Sequence, residues 1–322
     1  MAKNIVICCD GTGNQYGKNA TNVLKLFERV HKAPGRQVAF YDPGVGTSGG
    51  SRLVTFIGRR VAKLAGGALG YGITRNIEDG YRYLMDQYDD GDRVYIFGFS
   101  RGAFTARALA GMLCKVGLLH RARWNLVSYA SHMYRRGDEQ TAAGFKAAFS
   151  RPCDPHFIGV WDTVKSVGLI VPRRFGTATL NPLIAHGYHA LAIDEKRWKF
   201  KPLLWEEPAA SNQTIEQVWF TGVHADVGGF YDEAELSDIT LRWMLRKAEG
   251  CGLDLAEPEF AQEEDIHKGK LHNSLLWFWW LLLWWRRKIP AGAKIHISVQ
   301  QRMEAVKGYR PHNLPPDPNF VS

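Results

Sequence analysis

The stretch that most limits what this chain can become is 91–111, Gly-Asp-Arg-Val-Tyr-Ile-Phe-Gly-Phe-Ser-Arg-Gly-Ala-Phe-Thr-Ala-Arg-Ala-Leu-Ala-Gly. A polar turn is followed by Val94, Tyr95, Ile96 and Phe97, a β-branched and aromatic run that predicts a buried parallel strand. Gly98, Ser100 and Gly102 form Gly-x-Ser-x-Gly, and the Ala-rich segment behind them favours a helix. A strand, a sharp turn with Ser at its apex and a helix is the setting in which that pentapeptide exposes a reactive hydroxyl. The glycines let neighbouring backbones come close, and the helix aims its first amides and positive dipole end at the same place. Ser100 is therefore the candidate nucleophile, with the Arg101 N–H as a candidate oxyanion donor. Without its context the pentapeptide would be no more than a turn.

The other chemistry-bearing residues also follow short apolar runs. Ile5 to Cys9 predicts a first strand, ending in Asp10-Gly11-Thr12-Gly13-Asn14. That loop meets neither the dinucleotide fingerprint nor the Walker pattern. Gly11 and Thr12 are its candidate oxyanion donors, while Asp10 is either a site carboxylate or a turn-capping residue. Phe157 to Trp161 predicts another strand, ending in Asp162, the candidate acid. Val218 to Phe220 predicts a third, followed by the Gly-rich loop that carries His224, the candidate base. Asp226 either orients that loop or replaces Asp162 as the acid. His186 and His189 read as hydrogen-bonding residues within loop 165–200, and His296, in a strand-like tail, is the second choice for a catalytic histidine.

At 322 residues the chain can bury a large core, and it reads as one α/β domain over 1–322 with a helical cap insertion at 120–150. Helices are expected over 21–32, 71–88 and 237–250. The net charge of +9 suits an anionic partner, but the cations are scattered and form no nucleic-acid tract. Five cysteines without metal-ligand spacing point to buried thiols and no metal site, and no cofactor is expected. The N-terminus shows no cleavable signal, so the chain reads as cytoplasmic when synthesised. Residues 271–290 hold an 11-residue apolar run, too short for a membrane span of roughly 20 residues. Trp277, Trp279, Trp280, Trp284 and Trp285 beside Arg286, Arg287 and Lys288 have the composition of an interfacial segment, for peripheral membrane contact or for packing against the domain.

Four stretches in order, 9–14, 98–103, 160–164 and 222–229, resemble the α/β-hydrolase family that includes the type VI secretion phospholipase effectors of the Tle1 type. The residues at 296–303 and 313–315 are similar as well. The resemblance implies a mostly parallel central sheet flanked by helices. It also implies a serine hydrolase of carboxylic esters, with phospholipid as substrate and export by a type VI system. Ser100, Asp162 and His224 occur in the chain order of α/β-hydrolase triads. Two other readings stand beside it: a membrane- or partner-binding module without catalysis, and a phosphate-binding enzyme using the loop after Asp10. Oligomeric state is not encoded in any motif.

Overall fold

The computed structural model describes residues 2–11, 20–44, 66–136, 138–164, 179–206, 210–256, 265–274 and 286–322. Its backbone is an eight-stranded sheet in which every neighbouring pair is parallel. The strands are β1 (Asn4–Cys9), β2 (Gln37–Asp42), β3 (Arg93–Phe99), β6 (Phe157–Trp161), β7 (His186–Ala192), β8 (Thr214–Phe220), β9 (Lys294–His296) and β10 (Asn319–Val321). A separate antiparallel pair joins β4 (Leu118–Leu119) to β5 (Ser150–Arg151). The sheet order is β10-β9-β8-β7-β6-β3-β1-β2. The chain therefore steps from β1 outward to β2, then returns to add β3 on the other side of β1. Open α/β sheets bind ligands at the carboxyl ends of the strands, where the order reverses in this way.

Helices cover both faces, as a parallel sheet requires. Alternation along β1 shows the division. Ile5, Ile7 and Cys9 enter one core, shared with α2 (Gly66–Gln87), α3 (Arg101–Val116), α4 (Val127–Arg136) and α5 (Glu139–Phe149). Val6 and Cys8 enter the opposite core, with α1 (Asn22–Arg29) and α7 (Glu235–Gly250). A smaller cluster around Trp219, Ile295, Val299 and Tyr309 packs the β8–β9 part of the sheet beside α8 (Ile297–Ala305). Thr21 starts α1 by accepting the Leu24 N–H at 3.2 Å.

Two expectations need correction. His186–Ala192, expected as loop, is β7, paired between β6 and β8 in the interior of the sheet. Its buried His189 is held neutral, with burial pushing its pKa down to about 3, and its Nε2 accepts the Thr163 N–H at 3.1 Å. The strand-like tail instead leaves its strand at His296 and turns into α8. The His296 ring accepts the Ser298 N–H and stacks on Phe220, and burial lowers its pKa to about 4. That places His296 as a helix cap.

Candidate active site

β3, β6 and β8 end at one edge of the sheet, and Ser100, Asp162 and His224 follow them directly or within a short loop. Ser100 sits at φ 57, a conformation that a non-glycine residue rarely adopts. Both motif glycines are needed here. A Cβ on Gly98 would lie 2.5 Å from the Gly102 carbonyl oxygen, and one on Gly102 would lie 2.0 Å from the Cys9 carbonyl oxygen. The turn is pressed against its own helix and against the end of β1, which brings the Cys9 and Asp10 carbonyls up to Gly102. The Ser100 N–H donates to the Trp161 carbonyl at 3.2 Å, tying the serine turn to the residue before Asp162.

Asp162 is fully buried at φ 42. His224 opens the short helix α6 (His224–Gly228), and its Nδ1 lies 2.6 Å from Asp162 Oδ2. The imidazole is held between Phe99, 4.7 Å away, and Phe200, edge-on at 4.9 Å. Phe99 immediately precedes Ser100, so the serine turn and the histidine share a wall. The His224 N–H donates to Glu195 Oε2 at 3.2 Å. Glu195 is itself held by the Arg197 guanidinium and by the Ser274 hydroxyl at 3.0 Å.

Asp162 has a second partner with no counterpart in the sequence reading. Arg287 is 1% exposed, and its Nη1 and Nη2 donate to Asp162 Oδ1 and Oδ2 at 2.5 and 2.8 Å. Burial by itself would raise the Asp162 carboxyl. The Arg287 guanidinium and the His224 hydrogen bond outweigh burial and hold it well below the usual carboxylate range. Nothing in Arg286-Arg287-Lys288 distinguishes the buried member, because the selection depends on long-range packing. Glu195, Ser274 and His272 are equally unmarked.

Asp226 is drawn elsewhere. Its Oδ1 pairs with His272 Nδ1 at 2.6 Å, and its Oδ2 accepts the N–H groups of Val223 and His272 at 3.0 and 3.2 Å. It closes half of a capping box over α6. Asp10 accepts its neighbour Gly11 N–H at 2.6 Å, and the Thr21 and Tyr41 hydroxyls at 2.6 Å each. Thr12 and the five tryptophans at 277, 279, 280, 284 and 285 lie outside the described residues. A cavity of about 240 Å³ between Asp194, Lys196, Arg286, Tyr309 and Arg310 touches Arg287 but is lined by neither Ser100 nor His224. No helix among the described residues is long and apolar enough to cross a membrane.

Fold and site together define a parallel α/β protein with a buried carboxylate–imidazole pair and a strained serine along one sheet edge. The chain belongs to the Tle1-like family of type VI secretion phospholipase effectors, whose catalytic domain matches residues 3–247. It is 35% identical over 221 residues to the uncharacterized protein YEL023C of Saccharomyces cerevisiae, covering 62% of this chain and 32% of that protein. The chain thus spans about a third of the length of that curated relative. Two solved structures are similar at lower identity. One is an uncharacterized protein from Pseudomonas aeruginosa, at 20% identity and TM-score 0.45 over 82% of this chain and 48% of that one. The other is the Tle1 effector bound to the VgrG spike of the type VI secretion system, at 17% identity and TM-score 0.39 over 71% and 51%.

Proposed function

We propose that the protein is a serine hydrolase of carboxylic esters and that it acts on phospholipid acyl chains. The observation that carries this reading is the 2.6 Å bond from His224 Nδ1 to the ionised Asp162, beside a serine at φ 57 on the same sheet edge. That bond occupies Nδ1 and leaves Nε2 as the base. Ser100 Oγ attacks the ester carbonyl as its proton passes to His224 Nε2. The oxyanion is held by the Arg101 N–H, with Thr12 as the second donor; the Gly11 N–H, expected as a donor, is instead taken by the Asp10 carboxylate at 2.6 Å. The C–O bond to the alcohol breaks, and the alcohol leaves with the proton from His224. Water then adds to the acyl-enzyme by the same route in reverse order, releasing the fatty acid and restoring Ser100. Asp162 holds the tautomer and stabilises the imidazolium. No step in this sequence draws on a cofactor.

Peripheral contact of the tryptophans at 277–285 with an anionic lipid surface, and delivery by a type VI system, belong to the same proposal. Membership of an effector family supports the delivery, and the tryptophans beside Arg286, Arg287 and Lys288 in the sequence support the lipid contact. A single 1–322 hydrolase domain with 120–150 as a helical insertion is the matching domain reading. The test is fluorophosphonate labelling, read by intact mass, on the wild type and on Ser100→Ala, followed by hydrolysis of phospholipid vesicles. Labelling that disappears with Ser100→Ala, together with fatty-acid release, is the expected result. A folded wild type that binds vesicles but neither labels nor releases fatty acid would replace the hydrolase reading with a non-catalytic binding module.

A further inference from the structure

We infer that Arg287 is a positioning residue of the Ser100–His224–Asp162 site, fixing the plane and the charge of Asp162 so that one oxygen always meets the imidazole. The inference rests on the hydrolase reading above, and it assigns a function to a residue that the reaction sequence does not itself require.

The geometry is directional at every atom. The guanidinium meets the carboxylate end-on, Nη1 to Oδ1 and Nη2 to Oδ2, and both side chains are fully buried. A planar fork on a planar acid leaves little rotation about the last bond of Asp162. Oδ1 also accepts the Ala192 N–H at 3.1 Å, which leaves Oδ2 for His224. The fork is in turn anchored. Nη1 donates to the Ala192 carbonyl at 2.8 Å, and Nη2 donates to the Phe200 carbonyl at 2.7 Å. Phe200 is the residue whose ring lies edge-on to His224. One side chain therefore fixes the acid, the end of β7 and one wall of the imidazole slot. The Arg287 carbonyl is held by the Asn313 amide at 3.2 Å. The flanks of 275–285 both end on this pair, Ser274 through Glu195 to the His224 amide and Arg287 directly on Asp162.

The charge has a separate consequence from the fork. With Arg287 present, the buried Asp162 charge is already balanced when His224 is neutral. Without it, the carboxylate has only the imidazolium as a counter-charge, so His224 holds its proton more tightly. Among the described residues, the charged and titratable groups that face the pair are Arg287, Glu195 with Arg197, and His189 in β7. Asp226, on the helix of His224, is paired with His272.

The experiment measures fluorophosphonate labelling rate and vesicle hydrolysis against pH for wild type, Arg287→Gln and Arg287→Lys, with thermal melts of each. Arg287→Gln removes the charge. Its acidic limb should move up by about one pH unit or more, and its plateau rate should fall about 100-fold. Arg287→Lys keeps a charge but loses the fork, so its limb should stay with the wild type while the plateau falls by about tenfold or more. A folded Arg287→Gln whose limb and plateau both match wild type would overturn the inference. So would a Lys variant whose limb moves as far as that of the Gln variant, or one whose plateau rate equals wild type. Absence of labelling in the wild type itself would strike the hydrolase reading, which separates the two failures.

Discussion

Two Asp–His pairs stand close together in this molecule, and their hydrogen bonds have the same length. His224 Nδ1 meets Asp162 at 2.6 Å, and His272 Nδ1 meets Asp226 at 2.6 Å. Asp226 is only two residues from His224. The pairs nevertheless differ in everything that decides chemistry. His272 has its second nitrogen 3.2 Å from Glu233 and its ring stacked on Tyr231 at 3.7 Å, so both ring nitrogens face carboxylates. His224 has aromatic walls, and among the described residues its ring meets one carboxylate, Asp162. The acids shift in opposite directions. Burial raises Asp226, and its hydrogen bonds do not offset that. Burial would raise Asp162 too, but Arg287 and His224 carry it well below the normal range. A short Asp–His contact is therefore not itself a base. The base needs an unengaged second nitrogen and an acid held ionised.

Each experiment below is aimed at that contrast, starting with the largest effect. Replacing His224 with Ala should remove at least about 10⁴-fold of the ester hydrolysis rate, in the manner of triad members. His272→Ala should stay within about tenfold of wild type, measured on the same vesicles. Equal losses would erase the distinction between the pairs. Next, Asp162→Asn should lower kcat by about 10⁴-fold through the wrong imidazole tautomer, while Asp226→Asn changes it by less than about tenfold. A steep loss in Asp226→Asn alone would make Asp226 the acid.

Stability sharpens the comparison further. Asp162→Ala leaves a buried guanidinium without its counter-charge and should cost about 3–5 kcal/mol in urea unfolding. Asp226→Ala leaves the Val223 amide and the half-buried His272 without their acceptor and should cost about 1–3 kcal/mol. A reversed order would mean that the Arg287–Asp162 pair is the less important clamp.

The smallest effect concerns a histidine that neither pair uses. His189 stays neutral in the folded protein down to about pH 3, whereas in the unfolded chain it takes a proton near pH 6.5. Below 6.5 the unfolded state binds more protons, so stability falls as pH falls through this window. Wild type should lose about 2 kcal/mol more than His189→Gln between pH 7 and pH 5. Identical losses in urea-melt series at the two pH values would show that His189 does not contribute.

Much of the scaffold was legible because its signals are local. Val94–Phe97 followed by Gly-x-Ser-x-Gly specifies a strand and a turn that only glycines at 98 and 102 can close, whatever surrounds them. Strands β1, β3, β6 and β8 announce themselves as apolar runs, and Asp10, Ser100, Asp162 and His224 each follow one. β7 did not, because His186, Gly187 and His189 break the apolar pattern and prolines crowd the residues before it. It is a strand because its neighbours on both sides supply partners, and the Thr163 N–H donates to Nε2 of its buried imidazole. The tail misleads for the opposite reason. His296-Ile297-Ser298-Val299 looks β-branched, but a histidine cap and the cluster around Trp219 turn it into a helix.

The sequence by itself determined the order of the chemical groups and the edge on which they emerge, since strand-to-turn signals act within a few residues. Only the tertiary structure decided which acid faces His224 and which arginine, among 41 cationic residues, lies beside that acid. Asp226 is two residues from His224, yet Asp162, 62 positions away in sequence, holds its ring. Arg286 and Arg287 are adjacent, yet only the second makes the fork to Asp162. Electrostatic strength depends on distance and burial in three dimensions, and spacing along the chain encodes neither once the partners come from separate strands.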